Sequence, residues 1–200
     1  MTYADTMAQL AERRAALMRL QDEMRALQAA VEPQPVEDCA FDGWDGPVRL
    51  SALFGGRRDL LVIHNMGRGC SFCTLWADGF NGVYHHLANR AAFVMVNPDP
   101  VETQRAFAAD RGWRFPMVSY GDSGFGEAMG YRQGGEPEEF NSRGFGPGVS
   151  ALRRDADGAI WRVSDTEFGP GDQFCAVWPL LDLFPEGANG WSPKVRYAQA

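Results

Sequence analysis

Apolar positions in the first thirty residues fall on one stripe. Leu10, Leu17, Leu20, Met24, Leu27 and Val31 recur at spacings of three, four and seven among charged neighbours, which predicts a helix ended by Pro33 and Pro35. A stripe this narrow can dock on a domain or pair with a second copy in a short coiled coil, and the sequence leaves both open. From Val36 to Leu53 the pattern turns to short extended runs. Cys39-Ala40-Phe41 and Val48-Arg49-Leu50 flank Asp42-Gly43-Trp44-Asp45-Gly46-Pro47, the pattern of a hairpin. Ser51 to Gly56 reads as a brief helical turn closed by glycine. Leu60 to His64 is apolar without alternation, as expected of a strand covered on both faces.

Met66-Gly67-Arg68-Gly69 then forms a flexible loop. Phe72, Leu75, Trp76, Phe80, Val83, Tyr84 and Leu87 follow at helical spacing, predicting an amphipathic helix from about Ser71 to Asn89 despite Gly79 and Gly82. A strand over Ala92 to Val96, a helix from Val101 to about Arg111 and a short extended segment, Phe115 to Ser119, come next. Strand, helix, strand, helix in this order implies a parallel core. Gly134 to Gly148 is rich in Gly and Pro and carries Glu136, Glu138 and Glu139, which suits a long loop or lid. Val149 to Arg154 and Ala159 to Val163 flank Asp155-Ala156-Asp157-Gly158 in a second hairpin. A last helix is expected between Phe174 and Phe184, with Pro179 as an obstacle inside it. The chain therefore divides into an N-terminal amphipathic helix and linker (1–35), one domain (36–185) and a C-terminal tail (186–200). Its 200 residues can bury a sizeable core without disulfide or metal staples.

The chemistry concentrates at Cys70-Ser71-Phe72-Cys73, where the strand run gives way to the helical pattern. Two cysteines so spaced at a helix start can form and break a disulfide within one turn, and the helix end favours the attacking sulfur as thiolate. Cys70, nearer the helix N-terminus, is the expected attacking thiolate, and Cys73, one turn deeper, the resolving thiol. Arg68 can add positive charge beside Cys70. A structural zinc site is the rival for such a motif and needs two further ligands at similar spacing. Cys39 and Cys175 stand apart and the histidines are His64, His85 and His86, so no second ligand cluster is seen and no metal or other cofactor is expected. Cys39 and Cys175 read as buried small apolar residues, with a regulatory role as the alternative.

A formal charge of -7 and a pI near 5.0 argue against nucleic acid or a polybasic membrane patch as partners. The arginines are spread rather than clustered, which argues against phosphate recognition. No apolar run reaches membrane-spanning length and residues 1–30 lack the pattern of a secretion signal. The expected compartment is the cytoplasm, where a C-x-x-C pair serves as a working dithiol rather than a crosslink.

The order of elements resembles the thioredoxin-like superfamily, in its peroxiredoxin and thiol-disulfide branch. The matching residues are Leu50 to Gly56, the strand into Cys70 and Cys73, Phe93-Val94-Met95-Val96-Asn97, the helix from Gln104 to Trp113, Phe115-Pro116 and the hairpin at Asp155 to Ile160. More narrowly, an N-terminal helix with Cys70-Ser71-Phe72-Cys73 followed by Trp76-Ala77-Asp78-Gly79-Phe80 resembles the DUF899 family of thioredoxin-like proteins, over nearly the whole chain. The resemblance implies an α/β thioredoxin-like fold, a central mixed sheet flanked by helices, with an N-terminal helix and an added β-hairpin. It also implies a dithiol-disulfide activity without an established substrate; with Cys70 and Cys73 as the pair, the expected function is a dithiol-disulfide oxidoreductase acting on a protein or small-molecule disulfide.

Three departures qualify what the likeness carries. Gly69 stands where thioredoxin has tryptophan before the first cysteine, so the usual aromatic partner surface is either absent or comes from elsewhere. The position of the thioredoxin cis-proline corresponds to Val149, with Pro147 two residues away, and Pro116 belongs to an earlier strand. Asn65 to Gly69 lack the Pro and Thr or Ser with which peroxiredoxins activate a peroxide, placing peroxidase activity below disulfide exchange. His64 takes the place of thioredoxin's buried Asp, six residues before Cys70. It is either the acceptor of the Cys73 proton or a hydrogen-bonded core residue. Trp76 either covers the disulfide or is core. The alternative to catalysis is a thioredoxin-like binding or redox-sensing protein, with a homodimer through the N-terminal helix as a possible partner arrangement.

Overall fold

A computed structural model describes residues 1–132 and 144–198. In chain order its elements are α1 (Tyr3–Ala29), β1 (Gln34–Pro35), β2 (Ala40–Gly43), β3 (Gly46–Arg49), α2 (Leu50–Leu53), β4 (Asp59–His64), α3 (Ser71–Arg90), β5 (Ala92–Asn97), α4 (Val101–Arg111), β6 (Met117–Ser119), α5 (Phe125–Ala128), β7 (Gly148–Arg154), β8 (Ile160–Glu167) and α6 (Val177–Leu181). The loop expected over Gly134 to Gly148 lies, as far as position 143, outside the described residues.

The described strands form one mixed sheet in the order β1-β8-β7-β4-β5-β6-β2-β3. β4 sits in its middle, parallel to β5 and antiparallel to β7, and β5 runs parallel to β6. A strand bonded on both edges and covered on both faces can afford few polar side chains, which accounts for Leu60-Leu61-Val62-Ile63. Successive side chains point to opposite faces, and two separate cores result. Leu60 and Val62 of β4 join Val94 and Val96 of β5, with Phe41, Leu50, Phe54, Tyr120, Phe125 and Leu152. Ile63 joins Phe93 and Met95 with Trp76, Ala77 and Phe80 of α3, Ala108 of α4 and Trp113.

α3 lies on the second face because its buried residues, Cys73, Thr74, Trp76, Ala77 and Phe80, share one side of a helix. The hairpin of β2 and β3 joins the sheet at β6, and β1, with Pro35, pairs with the free edge of β8, where a missing N–H does no harm. The last helix is shorter than the sequence suggests, five residues with Pro179 inside. The tail beyond it folds back: Trp191 meets Trp178 with ring centroids 5.7 Å apart, Arg111 donates to the Val195 carbonyl at 2.9 Å, and Arg196 pairs with Asp110 at 3.0 Å. α1 differs from every other helix in that none of its residues is buried. Of the two expectations for its stripe, docking on its own domain is not what the fold shows. No peptide bond among the described residues is cis, so Phe115-Pro116 and Gly146-Pro147 are trans.

Candidate active site

The two cysteines expected to act together do meet. Cys70 is the N-cap of α3, and its Sγ accepts the backbone N–H of Cys73 at 3.0 Å, one of the donors a helix start leaves unpaired. The neighbouring Cys73 side chain, followed by the N–H groups of Cys73 and Phe72, lowers the Cys70 thiol below its ordinary value against the opposing effect of burial. Cys73 is buried, 2% exposed, and burial first, then the Cys70 sulfur, raises its thiol well above the ordinary value. The motif thus holds one half-buried sulfur biased toward thiolate and one deeper sulfur kept protonated. All four cysteines are free thiols. Cys39 packs half-buried against the first core, where burial pushes its thiol up to about 11. Cys175 is buried in the second.

The loop delivering Cys70 is braced by side chains that the sequence reading did not single out. Asn65 Oδ1 accepts the Gly67 N–H at 2.7 Å and its amide donates to the Cys73 carbonyl at 3.4 Å. Asp99, 2% exposed, accepts the Arg68 N–H at 2.7 Å, so it is Arg68's backbone that is tied into the site. Gly67 has φ +96°, and a Cβ there would lie 2.7 Å from Asp99 Oδ2; only glycine meets both conditions. Asp99 is itself anchored, since Asn97 Oδ1 accepts the Asp99 N–H at 3.0 Å and the Gln104 amide at 2.7 Å. Gln104 in turn accepts from Trp44 Nε1 in the first hairpin at 3.2 Å. The available sequence signal was Asn97-Pro98-Asp99-Pro100 between a strand and a helix.

His64 is buried, 1% exposed, and lies with the first core, on the same strand parity as Leu60 and Val62. Its Nδ1 is 2.8 Å from the Tyr120 hydroxyl, its Nε2 is 2.9 Å from Ser150 Oγ, and its ring stacks on Tyr131 at 3.8 Å. Burial lowers it to about 3, so the ring is neutral at ordinary pH. Cys73 packs instead with Ile63 in the second core. The structure therefore brings Cys70 and Cys73 together and places His64 on the opposite face of the sheet, with both nitrogens engaged by hydroxyls.

Aromatic cover arrives from the far end of the chain. Phe72 stacks on Trp178 of α6 at 6.1 Å and lies 6.3 Å from Trp76, which in turn meets Phe168 at 5.3 Å. Trp76 and Trp178 bury Nε1 without a partner among the described residues, so apolar packing is what these rings contribute. His85 and His86 lie on the exposed side of α3. Among the described residues no group of three metal-ligating side chains comes together, and no helix is long and apolar enough to cross a membrane.

A strand feeding a helix whose N-cap is the first of two cysteines, with a parallel strand on one side and an antiparallel hairpin on the other, defines a thioredoxin-like fold. The solved structures agree. The chain is similar to peroxiredoxin Q of Xanthomonas campestris (21% identity, 70% of this chain and 87% of that one, TM-score 0.55) and to peroxidoxin BcpB of Mycobacterium tuberculosis (22% identity, 68% and 84%, TM-score 0.52). It is also similar to an uncharacterized conserved protein of Geobacillus kaustophilus (15% identity, 70% and 72%, TM-score 0.50). At these identities the likeness shows the fold alone. Residues 1–199 match the family described as bacterial protein of unknown function (DUF899), and the chain belongs to that family. No match is found among curated proteins.

Proposed function

We propose that the chain is a dithiol-disulfide oxidoreductase acting through Cys70 and Cys73 on a protein or small-molecule disulfide. The observation that supports this reading is the asymmetry of the pair: a half-buried sulfur at the helix start that accepts the Cys73 N–H and is lowered toward thiolate, and a buried sulfur one turn deeper that is raised. The Cys70 thiolate attacks one sulfur of the substrate disulfide and expels the other as a thiolate, which takes a proton from water. Cys73 then gives its proton to water, attacks Cys70 Sγ as the thiolate and expels the second substrate sulfur as a thiolate, which takes a proton in turn. The pair gives up two electrons and the substrate becomes two thiols. In this scheme His64 is a positioning residue that holds Tyr120 and Ser150 behind the strand, and the Cys73 proton leaves by another route. A reducing cytoplasm is the setting that suits a working dithiol.

Glutathione disulfide and a disulfide-bonded peptide serve as probe substrates. Cys70→Ser should abolish their reduction, and Cys73→Ser should accumulate a mixed disulfide on Cys70 detectable by mass spectrometry. Activity of Cys70→Ser equal to that of the wild type, or two thiols that both resist alkylation in the folded protein, would overturn the proposal.

A further inference from the structure

The deeper sulfur must become an anion before it can attack, and Cys73 is buried. A charge in such surroundings is costly unless a donor points at it. The N–H of Cys73 itself is directed at Cys70 Sγ, 3.0 Å away. Another donor faces the Cys73 sulfur. The backbone N–H of Met66 lies 3.5 Å from it, reaching over from the loop between β4 and α3. Burial and then Cys70 raise the Cys73 thiol, and the Met66 N–H heads the influences that oppose them.

Asn65 is what aims that N–H. It is buried, and its own N–H donates to the Val96 carbonyl at 3.0 Å, which fixes its backbone at the end of β4. The side chain reaches in two directions. Oδ1 accepts the Gly67 N–H at 2.7 Å and closes a turn around Met66, while Nδ2 donates to the Cys73 carbonyl at 3.4 Å and ties that turn to the residue carrying the sulfur. Donor and acceptor on one short side chain are what a carboxamide supplies and a carboxylate does not. Beyond the turn, Asp99 accepts the Arg68 N–H at 2.7 Å, so the Met66 peptide is held from both ends.

On the reading of Cys70 and Cys73 as an exchange pair, on which this step depends, we propose that Asn65 is a positioning residue for the second half of the exchange: it aims the Met66 N–H at Cys73 Sγ, where that donor holds the resolving thiolate. In the mixed disulfide, Cys73 gives its proton to water and the Met66 N–H stabilises the sulfur left negative. That thiolate attacks Cys70 Sγ, the bond from Cys70 to the substrate sulfur breaks, and the substrate leaves as a thiolate that takes a proton. A hydrogen bond to a charged sulfur raises the population of the thiolate by about tenfold or more. The titratable and charged groups around this turn are the Cys70 thiol, the Arg68 and Asp99 side chains and, from the other core, the Tyr120 phenol. Substitution of Asn65 alters none of them.

The test mixes the reduced full chain with glutathione disulfide, quenches with acid at intervals and follows the mixed disulfide on Cys70 by mass spectrometry. Formation is timed in the Cys73→Ser background and decay with Cys73 present. In Asn65→Ala, decay should slow by about tenfold or more relative to formation, so that the mixed disulfide accumulates although Cys73 is there to resolve it. The decay should also require a higher pH than in the wild type, which loss of stability alone would not bring about. Asn65→Ser, which restores an acceptor for the Gly67 N–H but not the tie to the Cys73 carbonyl, should fall between the two. It carries the comparison alone if circular dichroism shows Asn65→Ala unfolded. Decay as fast as in the wild type, decay slowed at an unchanged pH profile, or formation and decay slowed by the same factor overturns the role of Asn65 and leaves the exchange reading standing. A pair that reacts with neither glutathione disulfide nor a disulfide-bonded peptide, or Cys70→Ser as active as the wild type, overturns the exchange reading and this role with it.

Discussion

The backbone N–H of Cys73 points at the sulfur of Cys70 from 3.0 Å, and the Cys73 side chain is the leading influence that lowers the Cys70 thiol. One residue thus acts twice on the reactivity of another. Alkylation of Cys70 by iodoacetamide should titrate below the range of an ordinary thiol while Cys73 stays resistant. In Cys73→Ala the side-chain influence is lost and the N–H remains, so the Cys70 titration should move upward. The rate of alkylation against pH checks both outcomes.

Asp99 and Gly67 should prove coupled. Removing the Asp99 carboxylate in Asp99→Ala takes away the acceptor of the part-buried Arg68 N–H, at a cost of roughly 0.5–1.5 kcal/mol in urea unfolding. Gly67→Ala imposes a Cβ on the left-handed φ of +96° and against the Asp99 oxygens, and should cost more than about 1 kcal/mol. In the double variant the collision is gone and only the backbone conformation stays unfavourable. The two costs should therefore add to less than their sum, as a double-mutant cycle will read.

Acid should destabilise the fold through His64. Its folded value of about 3 lies below the ordinary 6.5, so the unfolded chain binds the proton first. Stability present above about 6.5 is lost as pH falls toward 3, at roughly 1.4 kcal/mol per pH unit. His64→Gln, which offers hydrogen bonds but does not titrate, should flatten that slope in urea titrations run at several pH values, whatever it does to stability at neutral pH.

Gly79 and Gly82 sit within α3 with open space where a Cβ would project. Alanine at either position should raise stability by about 0.5–1 kcal/mol, read as a higher Tm, with the alkylation rate of Cys70 unchanged.

Much of this fold is legible in the chain because long periodic segments decide their own form. The apolar run of β4, the helical spacing of α3 and the Asp155 to Gly158 turn each admit one reading, and the junction of strand and helix places Cys70 at a helix start. Short elements resist that reading. Gln34–Pro35 has no strand propensity and exists as β1 only because β8 offers an open edge, and Phe125–Ala128 is a four-residue helix bounded by glycine. The side of the sheet that His64 occupies was available from its parity with Leu60 and Val62. The packing of Trp178 on Phe72 was not, because it joins residues more than a hundred positions apart by tertiary packing alone. Asp99 escaped notice for a similar reason, since its role depends on the backbone of another loop.

The position of β4 bears on how the protein is made. Its parallel neighbour follows within a few dozen residues, but β7, which closes its other edge through pairs such as Asp59 and Arg153, emerges from the ribosome some ninety residues later. Until then the nascent chain carries an apolar strand with one bare edge beside two unshielded thiols. Vectorial synthesis thus exposes the future reactive motif before its shelter exists, and nascent chains stalled ahead of β7 are the species most prone to strand-edge aggregation and adventitious oxidation.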